Sequence, residues 1–210
     1  MAAVHITELT FSPTGDRVEA GIVLLTENMA NQKIAVEWWN DAALNAVAVE
    51  RQIDRHWDWN CMAIEMDGRE IESEKYAIVT GDEAIQGAMM ISTEPVSSVL
   101  EPGARCLLVE LLFTAPWNRP DVRVDGQAFF VGVGTQLLRW AVMLSGSLGC
   151  EGRIRLDGSP DYVTWYENRG LQRLDVEPIV FEGTEYTAME LSADAAARLL
   201  EGRARKGARK

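Results

Sequence analysis

At 210 residues, 47% of them hydrophobic and 25% charged, the chain has enough apolar material for one globular domain with a sizeable core. Its net charge is −12, and five of its 20 Lys and Arg residues fall in 203–210, so the body of the chain is more acidic still. Phosphate contacts need clustered cations, which argues against a nucleic-acid or anionic-membrane partner and suits a basic one better. The basic residues 203–210 read as a solvated tail.

Three cysteines, Cys61, Cys106 and Cys150, make an odd set with no metal-like spacing, so buried free thiols are expected and no metal site is. Neither a cationic, apolar leader nor an apolar run of about 18 residues is present, from which a cytoplasmic protein is expected.

Residues 4–10 and 18–25 are apolar-rich runs separated by Ser12-Pro13-Thr14-Gly15-Asp16, whose turn chemistry predicts a hairpin. From 27 to 55 the pattern turns helical, with Asn40 as the expected N-cap of a helix carrying Ala43, Leu44, Val47, Val49 and Ile53. Four of the seven tryptophans gather here, in Trp38-Trp39 and His56-Trp57-Asp58-Trp59. Aromatic faces attract cations, which makes Trp38, Trp57 and Trp59 weak candidates for a substrate pocket; large core and rim residues are the plainer reading, and His56 reads as a packed histidine before a base.

Residues 76–80 and 85–92 flank Gly81-Asp82-Glu83-Ala84 and predict a second hairpin. A loop follows, and then Arg105-Cys106-Leu107-Leu108-Val109-Glu110-Leu111-Leu112-Phe113-Thr114, an apolar run fit for a strand buried on both faces, interrupted by one carboxylate. Gly152-Arg153-Ile154-Arg155-Leu156 reads as a further strand and Ser159-Pro160-Asp161 as the start of a short helix. Residues 173–176 and 186–191 read as closing strands, and Ser192-Ala193-Asp194 caps a last helix.

Between the central strand and residue 152 lies Val131-Gly132-Val133-Gly134-Thr135, followed by apolar residues at helical spacing through Leu137, Ala141, Leu144 and Leu148. Two glycines ahead of a helix let a phosphate-bearing ligand approach bare backbone, and the first turn offers unpaired N–H groups and a positive dipole end. A tight turn or close packing is the commoner use of such a pair. A nucleoside-triphosphate loop would need Lys after the second glycine, and the chain has Thr135-Gln136. A dinucleotide fingerprint would need a third glycine where Leu137 stands.

In the order and spacing of that loop and of Tyr166-Glu167-Asn168-Arg169-Gly170-Leu171, the chain resembles the GNAT superfamily of acyl-coenzyme-A-dependent N-acyltransferases over about residues 70–190. The family has x-x-G-x-G/A and Y-E-x-x-G-F at these places. This chain departs from it in having Phe129 where Arg or Gln is usual, Leu171 where Phe is usual, and an added Asn118-Arg119-Pro120-Asp121-Val122-Arg123-Val124-Asp125-Gly126. The resemblance implies an α/β (α+β) GNAT fold, a mixed central sheet splayed after its fourth core strand and flanked by helices. It also implies one domain over 1–202, with 1–70 on the acceptor side and 71–191 holding the core and coenzyme site.

The implied activity is transfer of an acetyl group from acetyl-coenzyme A, as co-substrate, to an amine, with a cationic acceptor favoured by the acidic charge. The pyrophosphate would lie on Val131, Gly132, Val133, Gly134 and Thr135, and the pantetheine arm on Leu112, Phe113, Thr114 and Ser159. Tyr166 would be the general acid. Glu110, desolvated in an apolar strand, would have a raised pKa suited to a base acting directly or through water, or else be an edge glutamate paired to an arginine. An inactive acyl-coenzyme A sensor or protein-binding module of the same fold is the alternative, as monomer or homodimer.

Overall fold

The computed structural model describes residues 3–41, 43–50, 52–56, 58, 64–66, 69–81, 83–181 and 183–202. The chain forms two compact units, one of Met1–Met90 with Leu112–Leu137 and the other of Ile91–Leu111 with Leu138–Lys210.

In the first unit, β1 (His5–Phe11) and β2 (Arg17–Leu24) form the expected antiparallel hairpin, in register from His5↔Ile22 to Thr10↔Arg17. Residues 27–55, expected to be largely helical, instead break into short pieces among the described residues. Thr26 caps α1 (Glu27–Met29), which runs into a π turn, Ala30–Ile34, and a 3₁₀ turn, Glu37–Trp39. The cap of α2 (Ala46–Val49) is Asn45, whose Oδ1 accepts from the N–H groups of Val47 and Ala48. Asn40 is no N-cap: it closes the preceding turn with its own N–H on the Glu37 carbonyl. Leu44, expected inside the helix, makes a bridge to Arg123 and packs with Val49 and Val122.

A small ribbon of β3 (Ile64–Met66) and β4 (Arg69–Ile71) precedes the second predicted hairpin, β5 (Ser73–Thr80) and β6 (Ile85–Ser92). All of β6 is buried, which explains its mainly apolar sequence. Its polar Gln86 is tolerated there because Nε2 donates to Thr80 Oγ1 at 3.0 Å, while Oε1 accepts from Trp117 Nε1 at 2.8 Å and Asn118 Nδ2 at 3.0 Å. Strand order within this unit is β6-β5-β2-β1 and then β9 (Phe130–Val131) at the edge.

The second unit opens with the short β7 (Val96–Ser97), which pairs antiparallel with the start of β8 (Arg105–Thr114). After α3 (Val133–Ser147) come β10 (Ile154–Gly158), the 3₁₀ turn Pro160–Tyr162 and α4 (Val163–Glu167). Then follow β11 (Gln172–Arg173), β12 (Ile179–Phe181), β13 (Thr184–Leu191) and α5 (Ala193–Leu200). Ser192 caps α5 as expected, its hydroxyl accepting from Ala195 N–H. Strand order here is β11-β13-β10-β8, with β12 added to β13.

The two pairings of β10 differ. With β13 it is antiparallel along its whole length, Ile154↔Leu191 to Gly158↔Thr187. With β8 it is parallel and brief: Ile154↔Leu107 and Arg155↔Leu108 pair, and the ladder stops there. Val109-Glu110-Leu111 and Leu156-Asp157-Gly158 run on unpaired to each other, which is the expected splay.

Candidate active site

The glycine loop is fixed in the first unit by the Asn118 side chain of the added segment and by the backbone of Trp117. Asn118 Nδ2 donates to the Gln86 carbonyl at 3.1 Å, and its Oδ1 accepts from Phe130 N–H at 2.7 Å; the Trp117 carbonyl accepts from Phe129 N–H at 2.9 Å. Thus β9 is held on both sides, since it also pairs with β1 through Thr10↔Val131 and Phe11↔Phe130. Gly132 follows with φ +98°, a conformation that glycine adopts without a Cβ penalty, and the space beside its Cα is open for 4 Å. Helix α3 begins immediately, and its first i→i−4 bond runs from Gln136 N–H to the Gly132 carbonyl at 2.9 Å. The amides of Val133 and Gly134 come before that bond, in the first turn, where the helical ladder itself supplies no acceptor. A left-handed glycine, open space and a 15-residue helix dipole fit an anionic group such as the coenzyme's pyrophosphate.

Close packing also sets this helix. A Cβ on Gly87 would stand 2.7 Å from Val133 Cγ1 and 2.8 Å from the Phe113 carbonyl oxygen, so a bare glycine in β6 lets the start of α3 and the end of β8 approach it. Of the three β8 residues expected to hold a pantetheine arm, Phe113 therefore turns its carbonyl to Gly87. The Thr114 carbonyl already accepts from Arg119 Nε at 2.7 Å. Leu112 lies half-buried beside them.

Arg119 is a residue that sequence reasoning passed over as part of an insertion. It is 5% exposed and forks onto Asp54, itself 2% exposed, with Nη1 on Oδ1 at 2.9 Å and Nη2 on Oδ2; Nη1 also donates to Gln52 Oε1. Its guanidinium lies 5.8 Å from the ring centres of both Trp39 and Phe113. One side chain thereby joins the end of β8 to the segment around residue 54.

Trp38, a weak candidate for a substrate pocket, is fully buried, its indole N–H donating to the Ile85 carbonyl at 2.9 Å, which is the plainer reading of a core residue. Trp57, Trp59 and Cys61 lie outside the described residues. A cavity of about 450 Å³ in the first unit is lined by Thr80, Gln86, Trp117, Phe129 and Phe130 among others, and by none of the expected site residues.

The titratable candidates lie in the second unit. Glu110 stands on β8 just past the last pair with β10, is exposed, and makes no ion pair among the described residues. Solvent reaches it, yet enough protein surrounds its carboxyl that lost hydration, and then the charge of Asp157, raise its pKa above the ordinary glutamate value. Asp157, on the β10 wall of the splay, is likewise raised by burial, with Arg155 pulling the other way. Sequence reasoning missed Asp157 because strand spacing alone does not say which carboxylates face each other.

Tyr166 is held in α4 by two contacts. Its ring sits on Gly158, where a Cβ would be 3.3 Å from Cδ2, and it meets Trp165 edge to face at 5.0 Å. Arg169 stacks over Trp165 at 3.5 Å and donates to the Trp165 carbonyl. Burial chiefly, then Tyr162, raises the Tyr166 pKa, so the phenol stays protonated at neutral pH; Arg169 opposes this weakly by favouring the phenolate. Ser159 precedes the Pro160–Tyr162 turn without capping it through its side chain, which is half-buried. Cys106 and Cys150 are buried free thiols as expected, and burial with the nearby Glu190 pushes Cys106 up to about 12. No group of metal-ligating side chains, and no helix long and apolar enough to cross a membrane, occurs among the described residues.

A splayed parallel strand pair, a glycine-led helix and a tyrosine on the short helix after the second splayed strand define the GNAT fold. An N-acetyltransferase-assigned protein from Lactobacillus plantarum superposes with a TM-score of 0.51 over 82% of this chain and 97% of its own, at 14% identity. A spermidine N-acetyltransferase chimera from Vibrio cholerae and hSSAT gives 0.48 over 85% and 98%, at 11% identity. Nourseothricin acetyltransferase gives 0.42 over 57% of this chain, at 18% identity, and the match spans 64% of that protein's length. Neither a protein-family model nor a curated protein matches the sequence.

Proposed function

We propose that this chain is an N-acetyltransferase that moves an acetyl group from acetyl-coenzyme A to an amine, with cationic acceptors preferred. The observation that carries the reading is the opening of β8 from β10 after Leu108, with a carboxylate of raised pKa and no ion pair among the described residues standing at its start. A raised pKa makes such a group a better proton acceptor than an ordinary glutamate.

In this reading the backbone of Val131 to Thr135 binds the pyrophosphate, and the end of β8 receives the pantetheine. The acceptor nitrogen gives up its proton to Glu110, directly or through water, and attacks the thioester carbonyl carbon. As the C–S bond breaks, Tyr166, kept neutral by burial, donates its O–H toward the charge growing on sulfur. The preference for a cationic acceptor rests on the net charge of −12, which raises the local concentration of amines.

Amine-dependent release of coenzyme A thiol tests this, run over a panel of polyamines, aminoglycosides and lysine peptides with wild type and Tyr166→Phe. Turnover that falls about 10²- to 10⁴-fold in the variant is the expected outcome. Coenzyme binding without turnover of any amine would make the chain a sensor or binding module instead.

A further inference from the structure

We propose that Asp157 is a positioning residue for Glu110, facing it across the splay and setting by its charge the pH range in which Glu110 accepts a proton. The proposal rests on the acetyltransferase reading for its purpose but not for its test.

The geometry comes from register. β8 and β10 are parallel and paired at Ile154↔Leu107 and Arg155↔Leu108. Counting two residues further along each strand brings Asp157 level with Glu110. Side chains repeat every two residues along a strand, so Glu110 shares the face of Leu108 and Asp157 that of Arg155, and these are the same face of the pair. The ladder has ended by this point, so no backbone bonds fill the space between the two strands where the carboxylates lie. Burial agrees: Leu156 and Gly158 are buried, while Asp157 between them is half-exposed, as is Arg155.

The surrounding charges decide the order of ionisation. Arg155, on the same face of β10, favours the carboxylate form of Asp157. Glu190, opposite Arg155 on β13, is occupied by Ser98 Oγ and the N–H groups of Val99 and Leu100. Strand β6 carries no titratable residue at all. Tyr166 reaches Gly158, next to Asp157, as a neutral phenol. Asp157 therefore ionises first, and its charge adds to desolvation, the larger cause, in making Glu110 hold its proton more tightly. A carboxylate tuned this way is a stronger base near neutral pH than one standing alone.

The test is the titration of Glu110 in the protein without ligand, followed by carboxyl ¹³C NMR, with the resonance assigned by its loss in Glu110→Gln. Asp157→Asn removes the charge and keeps the shape, and the Glu110 midpoint should move to lower pH by about one pH unit. Asp157→Glu keeps the charge and should titrate near wild type, which also covers the case where the asparagine variant folds poorly. With an accepted amine, the acidic limb of kcat/KM should move in the same direction, while KM for acetyl-coenzyme A stays put. An unchanged Glu110 midpoint in folded Asp157→Asn, or a midpoint in Asp157→Glu lowered as far as that predicted for the asparagine variant, overturns the proposal whether or not any amine is acetylated. A shifted midpoint in a protein that turns over no amine leaves the pair standing and sinks the acetyltransferase reading instead.

Discussion

Two carboxylates show how differently the two units use the same chemical group. In the first unit Asp54 is sealed from water and gripped by both Nη atoms of Arg119, which is itself buried and committed to the Thr114 carbonyl. In the second, Glu110 stands in reach of water with no ion pair among the described residues, and lost hydration first, then the charge of another carboxylate, Asp157, raise its pKa. The buried group is the one matched in charge and geometry, which is the arrangement of a fastener. The accessible group is the mismatched one, held in a state of higher free energy when ionised, which is the arrangement of a reagent.

Substitutions at the two positions should therefore part company. The largest effect belongs to Asp54→Asn, which leaves the Arg119 charge buried without its counterion: a loss of about 3–5 kcal/mol in unfolding free energy, read by urea denaturation. A loss under about 1 kcal/mol would mean that Arg119 finds another partner, and the contrast would collapse. Glu110→Gln should instead spare folding and lower the rate of amine acetylation by about 10- to 1,000-fold, a barrier of roughly 1 to 4 kcal/mol. The deficit should shrink at high pH, where amines arrive already deprotonated. A variant with the wild-type rate across pH would make Glu110 structural.

The smallest effect sharpens the comparison most. Because folded Glu110 binds its proton more tightly than the unfolded chain does, native stability falls as pH climbs from the ordinary glutamate value through the raised one. Glu110→Gln removes that decline. Thermal melts should then show the variant slightly more stable than wild type at pH 7 and level with it below about pH 4. A variant less stable at pH 7 would show that the ionised carboxylate is a favourable contact in the fold.

How much of this was legible in the sequence depends on the range of the forces concerned. The β1–β2 and β5–β6 hairpins, β8 and α3 could be read because each is written locally, in turn residues or in an apolar pattern. Residues 27–55 misled because helical spacing there serves several short turns packed on separate partners, and the capping asparagine proved to be Asn45. Short edge strands such as β7 and β12 carry too few residues for a pattern. Glu110 was visible as a charge in an apolar run, but Asp157 looked ordinary until the register was known. Arg119 looked like loop decoration, and only the fold brings Asp54, 65 positions away, to its guanidinium.

In the proposed function the glycine loop holds the coenzyme, and isothermal titration calorimetry of acetyl-coenzyme A against wild type and Gly134→Asp tests this most directly. The account predicts binding by wild type and a loss of at least about 10-fold, near 1.4 kcal/mol, when an aspartate side chain and its charge are set at the second residue of α3. Equal affinity in a folded Gly134→Asp protein, or no binding by wild type, would contradict it.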